Sequence, residues 1–194
     1  MTNFRAFIFK NRGLLLTLPA ALLAIFGRPS ALGIVAGVPL AVAGELLRCW
    51  AVGYSGVTTR HDAVTAPKLV TAGPYAYVRN PLYIGNFVTA LGFAIAFTGK
   101  NSPFERFALV AGSLAAMAAV YAIIVPHEEA FLQLKFGEEY ERYRERVPRI
   151  IPRGAPLEEA AGQWQAAAVT TAESKTFLLF GAMLLLLALR ARFS

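Results

Sequence analysis

Five blocks of nearly uninterrupted apolar sequence set the strongest limit on what this chain can fold into. They run over roughly residues 13–26, 31–53, 81–98, 107–125 and 176–189. A helix that packs on a soluble core needs one apolar stripe and a polar opposite face. These blocks have almost no polar face. Across the 194 residues, 56% are hydrophobic and only 16% charged, against about 45–50% and about 25% in soluble domains. Lipid is the solvent such a chain requires, and the length fits a single membrane domain.

The blocks differ in length. A span needs roughly 20 apolar residues, which 31–53 supplies. Gly13–Phe26 is shorter, so it must borrow from residues 4–12 or stay inside a hairpin. Phe4, Phe7, Ile8 and Phe9 among Arg5, Lys10 and Arg12 read as an interfacial lead-in. Gly27-Arg28-Pro29-Ser30 reads as a turn before a second apolar block, which favours a membrane hairpin over a cleaved signal peptide. Pro19 is expected to kink the first helix, Pro81 to open the third and Pro126 to end the fourth. Thr176–Leu189 is marginal for a span. The expected fold is all-α, a multi-span transmembrane protein of four to five membrane helices. Residues 1–53 form the lead-in and hairpin, 54–153 the core, and 154–194 a weakly helical linker followed by the last membrane helix.

The net charge of +7 does not point to nucleic acid, because no basic helix with interleaved aromatics stands apart from the apolar blocks. Basic residues in membrane proteins collect on the cytoplasmic side and meet lipid headgroups. With the N-terminus inside, most lysines and arginines fall on that side, including Arg60, Lys68, Arg79, Lys135, Arg149 and Lys175, which leaves Arg28, Lys100 and Arg106 outside, plus the tail if the last run spans. Both long polar segments are then cytoplasmic. Cys49 is the single cysteine, so there is no internal disulfide or thiolate cluster, and His61 and His127 are too few for a structural zinc site. No metal is expected. Glu45 and Arg48 lie at i, i+3 within an apolar helix, either as an ion pair near the membrane edge or as part of a site.

Two polar segments carry the chemistry. The first, Lys68–Gly85, holds Gly73-Pro74-Tyr75 and then Arg79-Asn80-Pro81-Leu82-Tyr83-Ile84-Gly85. Tyrosine and arginine belong at headgroup level, but that explains the composition and not the order. The second begins with Glu128-Glu129 beside the bilayer, where adjacent carboxylates repel unless a cation intervenes. It continues through Phe136-Gly137 to Val147-Pro148-Arg149-Ile150-Ile151-Pro152. Phe136, Tyr140, Tyr143 and Val147 fall on one helical face, while Glu138, Glu141, Arg142, Glu145 and Arg146 read as a solvated one.

Taken together, these strings resemble the isoprenylcysteine carboxyl methyltransferase family and its phospholipid N-methyltransferase relatives, over roughly residues 45–153. The resemblance implies a membrane enzyme that holds S-adenosylmethionine in a cytoplasmic pocket, with a lipid-like acceptor entering from the bilayer. It further implies that Lys68, Leu69, Val70, Gly73, Tyr75, Asn80, Pro81 and Tyr83 line the cofactor pocket. Glu128 and Glu129 match the family's paired acidic positions, serving cofactor and catalysis, and Arg79 and Arg149 match arginines near the acceptor or the cofactor carboxylate. One departure stands out. The family's commonest residue after the arginine is histidine, and here it is Asn80, which cannot titrate. The phospholipid branch shares that asparagine, which tilts the acceptor toward lipids.

The chemistry agrees with the resemblance. A carboxylate such as Glu129 can pair with the donor's ammonium or accept from its diol, an arginine can grip its carboxylate, and tyrosine faces suit a sulfonium. A carboxylate acceptor needs no base, whereas an amine acceptor needs Glu128 or Glu129 to take a proton. The rival reading is an NADPH-dependent sterol-type reductase, which is similar in its Arg-x-Pro-x-Tyr-x-Gly string. Glu128-Glu129 and Phe136-Gly137-x-x-Tyr140 favour methyl transfer. Small residues such as Gly37, Gly44 and Gly112 serve packing within a chain or between chains equally well, so the sequence leaves the oligomeric state open.

Overall fold

The computed structural model of the chain describes residues 8, 11–56, 67–158 and 160–193. Most of the expected interfacial lead-in, and the stretch holding Arg60 and His61, lie outside the described residues. Every regular element described is helical: α1 (Arg12–Phe26), α2 (Ala31–Ser55), α3 (Pro81–Phe97), α4 (Pro103–Phe136), α5 (Glu138–Arg146), α6 (Ala166–Ala172) and α7 (Ser174–Phe193), with a 3₁₀ turn at Gly73–Ala76. This is a multi-span membrane protein. Three helices (α2, α4 and α7) are long and apolar enough to cross a bilayer, and α1 and α3 are shorter apolar helices of 15 and 17 residues.

The apolar side chains divide between lipid and core. Leu14, Leu32, Phe107 and Leu178 are each more than 70% exposed, as lipid-facing side chains should be. Inside, Leu23 of α1, Ala41 of α2, Phe93 and Phe97 of α3 and Met183 and Leu187 of α7 form one cluster. Helices α2 and α3 approach closest, through small residues. A Cβ added to Gly92 of α3 would collide with the Ala41 backbone of α2, and one on Gly37 or Gly44 of α2 would collide with the backbone of α3. Small residues let helix backbones meet where lipid supplies no hydrophobic drive.

The bundle has two ends. At one, the turn after α1 is clipped to the loop after α3: Asn101 accepts from Arg28 N at 2.8 Å and donates to Phe26 O at 3.0 Å. Arg190, late in α7, donates to the carbonyls of Ile25 and Gly27. The opposite end carries the 3₁₀ turn, the start of α3, the end of α4, and α5. Both polar segments named from the sequence meet there.

Helix boundaries depart from the expectations in three places. Helix α4 begins at Pro103 rather than Phe107, because Ser102 and Glu105 close a capping box. It also does not stop at Pro126 but continues to Phe136. Proline removes one backbone donor, and bundled membrane helices re-satisfy such a gap. Here the turns flanking Pro126 are held by side chains, Tyr121 by Asn86 and Glu129 by two arginines. The break falls instead at Gly137, with φ +53°, where α5 begins. The third departure is the linker 154–175, which contains α6 and packs back onto the bundle.

Candidate functional site

The backbone around residue 73 sets the first wall. Gly73 has φ +62°, a left-handed conformation, and the Tyr54 ring lies against it, so a side chain there would be strained and would collide. The 3₁₀ turn that follows leads into Asn80 and Pro81, where proline opens α3. Asparagine at a helix N-cap ordinarily bonds its own helix. Asn80 makes no such cap. Its amide donates to Glu129 Oε1 at 3.0 Å and to the Arg149 carbonyl at 3.3 Å. A residue placed to cap a helix has been turned to the site.

Glu129 is the point of convergence. Arg79 Nε donates to Oε1 at 3.1 Å, and Arg149 Nη2 to Oε2 at 2.6 Å. With Asn80, one buried carboxylate gathers three donors, two of them cations. Arg79 does more, since its Nη1 donates to the carbonyls of Arg144 and Val147 at 2.9 and 2.8 Å, and its own N–H donates to Pro148 O. It therefore fixes the chain that delivers Arg149. Arg149 is half-exposed at 51%, and its bond to Glu129 holds the guanidinium above the usual arginine range.

The neighbouring carboxylate faces elsewhere. Glu128 accepts from Tyr83 Oη at 2.7 Å, so the two adjacent glutamates point to different partners. The Tyr83 ring lies 4.4 Å from that of Tyr121. Tyr121 Oη accepts from Asn86 at 2.8 Å, and Asn86 in turn accepts from Arg48. Arg48 also donates to Glu173 at 2.7 Å and sits 3.4 Å from Glu45. The Glu45–Arg48 pair is thus one link in a buried polar chain leading toward Tyr83.

Helix α5 supplies the floor. Tyr140, Tyr143 and Val147 cluster with Leu69 and pack against Phe136, so the stripe seen in the sequence survives the break at Gly137. Tyr143 Oη donates to Tyr75 O at 2.8 Å. Burial pushes the Tyr143 phenol up, and pushes those of Tyr75 and Tyr140 up to about 12. Tyr140 is 1% exposed, and among the described residues its hydroxyl has no hydrogen-bond partner.

A strap that runs through Leu157 and residues 160–165 crosses the first segment. Ala161 O accepts from Thr71 N and Ala72 N at 3.0 and 3.2 Å, and Ala161 N donates to the Thr71 hydroxyl at 2.8 Å. Leu157 N donates to Ala76 O and Gln165 N to Gly53 O. The Trp164 ring occupies the space where a Gly53 side chain would stand.

Of the residues singled out in the sequence, Arg79, Asn80, Glu129 and Arg149 meet directly, and Tyr83 joins Glu128. Pro81 is buried at the α3 start and Gly73 lies beneath Tyr54. Leu69 is drawn into the tyrosine cluster, Val70 lies near Gly162 of the strap, and Lys68 is exposed. Sequence reasoning missed Asn86, Tyr121, Glu173 and the strap, and read Tyr140 only as part of an apolar stripe and a family string. Asn86 directly follows the Arg79–Gly85 string, and Glu173 stands at the head of an apolar run; both are polar residues where lipid would exclude them unless partnered. Among the described residues, no three His, Cys, Asp or Glu side chains are grouped to hold a metal ion.

A model of the phospholipid methyltransferase family matches residues 32–139. The chain is 36% identical over 113 residues to the protein-S-isoprenylcysteine O-methyltransferase of Schizosaccharomyces pombe, covering 56% of this chain and 45% of that protein. It is 30% identical over 120 residues to protein-S-isoprenylcysteine O-methyltransferase B of Arabidopsis thaliana, covering 60% and 57%. It is also 33% identical over 117 residues to the nickel-cobalt-cadmium resistance protein NccN of Alcaligenes xylosoxydans xylosoxydans, covering 60% and 47%. The chain thus spans about half the length of the curated relatives it matches. No solved structure matches it.

Proposed function

The chain belongs to the phospholipid methyltransferase family, and from that membership we propose an integral membrane enzyme that moves a methyl group from S-adenosylmethionine to a lipid or lipophilic acceptor. The observation that carries the reading is Glu129, which ties Arg79 and Asn80 of the first polar segment to Arg149 of the second. Support also comes from the isoprenylcysteine O-methyltransferase names of two relatives.

The residues present suit that methyl donor. Two guanidiniums beside a carboxylate match an amino-acid end bearing both a carboxylate and an ammonium. The partnerless hydroxyl of buried Tyr140 offers one more polar contact, since buried polar atoms are normally paired. In this reading Arg79 and Arg149 hold the carboxylate, Glu129 the ammonium, and Asn80, Tyr83 and the backbone of residues 69–76 the remainder. When bound, S-adenosylmethionine supplies an electrophilic methyl group on a sulfonium.

The chain's own work is positioning and exclusion of water. Glu129 is committed to three donors, so Glu128, which among the described residues accepts from Tyr83, is the better placed base. A carboxylate acceptor leaves Glu128 with no proton to take; an amine acceptor requires it. The strap belongs to the catalytic unit because the Thr71–Ala76 backbone depends on it. The excess of basic residues near this end argues for a cytoplasmic site.

Titration of the purified protein with S-adenosylmethionine and, separately, NADPH tests the donor. Saturable binding of the methyl donor alone is expected, and binding of NADPH alone would sink the proposal. Following labelled methyl into a lipid extract then identifies the acceptor.

A further inference from the structure

The end of the bundle away from Glu129 carries more basic than acidic side chains among the described residues. Arg28, Lys100, Arg106, Arg190 and Arg192 gather there with Glu105 as the nearby carboxylate. Among the described residues, none of these cations forms a salt bridge; the ion pairs described involve Arg48, Arg79, Arg144 and Arg149. Glu105 is occupied by the α4 cap, accepting from Ser102 N at 3.0 Å and from Asn101 at 3.3 Å. The surplus therefore faces outward.

A cleft of about 350 Å³ opens at this end. Its walls include Phe26, Phe104 and Leu109, and Arg28, Arg190 and the cap-bound Glu105 share its lining, two cations against one carboxylate. Phe26 is 58% exposed and Phe104 79%, so the apolar wall continues onto the lipid-facing surface. Arg28 is exposed. Arg190 is held in place by the Ile25 and Gly27 carbonyls, and among the described residues its buried Nε lacks a partner. A guanidinium fixed by carbonyls retains its full charge, because carbonyls bring none of their own.

Paired cations above an apolar wall at the rim of a membrane bundle match a molecule with a phosphate above acyl chains. We propose that this cleft binds one anionic phospholipid, its phosphate between Arg28 and Arg190 and its upper acyl chain along Phe26, Phe104 and Leu109. The net charge selects the class. A zwitterionic lipid brings an ammonium that the surrounding cations repel, whereas an anionic headgroup lowers the surplus. The site lies at the opposite end from the methyl-transfer residues and does not depend on their role.

Reconstitution of the full chain into nanodiscs of phosphatidylcholine, with or without phosphatidylglycerol, tests the proposal, with native mass spectrometry and thermal unfolding as readouts. Wild type is expected to retain phosphatidylglycerol preferentially and to unfold at higher temperature in its presence. Each arginine near an anionic lipid surface contributes about 1 kcal/mol, or about fivefold in retention, and Arg28→Glu should lose more because it reverses the charge. Arg28→Glu alters an exposed side chain and should fold normally; Arg190→Gln serves as the second variant, read against its own stability in phosphatidylcholine. Unchanged retention in Arg28→Glu, equal retention of phosphatidylcholine, or the same stabilisation by inorganic phosphate alone would each overturn the proposal.

Discussion

Glu173 and Arg48 lie 125 positions apart and form a 2.7 Å ion pair in which the glutamate side chain is only 1% exposed. The pair fastens the start of α7 to α2, and through Asn86 and Tyr121 it reaches Tyr83. Removing one partner leaves the other charged and buried, which costs about 3–5 kcal/mol in well-packed sites. Glu173→Ala should therefore lower the unfolding temperature in detergent substantially, and Glu173→Gln by less, since it keeps a hydrogen bond. A melting curve for Glu173→Ala that overlays wild type would show that the pair contributes nothing.

Glu129→Gln retains shape but loses the charge that holds both arginines. Charged hydrogen bonds contribute about 1.5–3 kcal/mol, so methyl-donor affinity should fall by roughly 10- to 100-fold while the helical content is unchanged. Arg79→Ala should lose transfer and also loosen residues 144–149, because Arg79 grips the Arg144 and Val147 carbonyls. Hydrogen exchange across α5 and the segment after it measures that second effect. Full activity in either variant would remove the residue from the site.

Glu128→Gln separates the two acceptor classes. General-base catalysis contributes typically 10²–10⁴-fold. With an amine acceptor, kcat should drop by that order; with a carboxylate acceptor it should stay within a few-fold. Single-turnover kinetics on the identified acceptor decide between them.

Tyr140→Phe deletes a buried hydroxyl that has no partner. An unsatisfied buried polar group costs about 1–3 kcal/mol, so the variant should be at least as stable as wild type. The alkaline limb should change as well. Burial raises this phenol from 10.0 to about 12, so the folded state binds the proton more tightly than the unfolded state. The associated stability is complete below pH 10.0 and is lost as pH rises through about 12. Tyr140→Phe should flatten that decline in a pH series of unfolding temperatures.

Gly92→Ala tests the α2–α3 contact. The added methyl would meet the Ala41 backbone, and overpacking of this kind costs typically about 1–3 kcal/mol. Gly112→Ala, whose Cβ meets nothing within 4 Å, is the control and should leave stability unchanged or slightly higher.

Sequence carried the bundle because lipid imposes a one-dimensional rule: apolar runs become helices, and polar residues between them become ends. It carried Arg79, Asn80 and Glu129 because their order formed a motif. Pro126 was misread because its local effect on a helix is strong, while the contacts that outweigh it come from Asn86, Arg79 and Arg149 on other segments. The strap was illegible for a related reason. Its bonds use main-chain groups of Leu157, Ala161 and Gln165, and backbone hydrogen bonding leaves little trace in side-chain identity. Glu173 was visible only as a charge beside an apolar run, and its partner had to be found in three dimensions.

The strap also sets a timetable for biogenesis. Thr71 and Ala161 are 90 positions apart, so the donors of the first polar segment wait for their acceptor while α3, α4 and α5 are made. At ribosomal speeds that interval is on the order of ten seconds. Until it ends, the loop proposed to cradle the cofactor lacks the hydrogen bonds that the strap supplies at Thr71, Ala72 and Ala76. In the proposed function, competence for ligand therefore waits until the strap has been made.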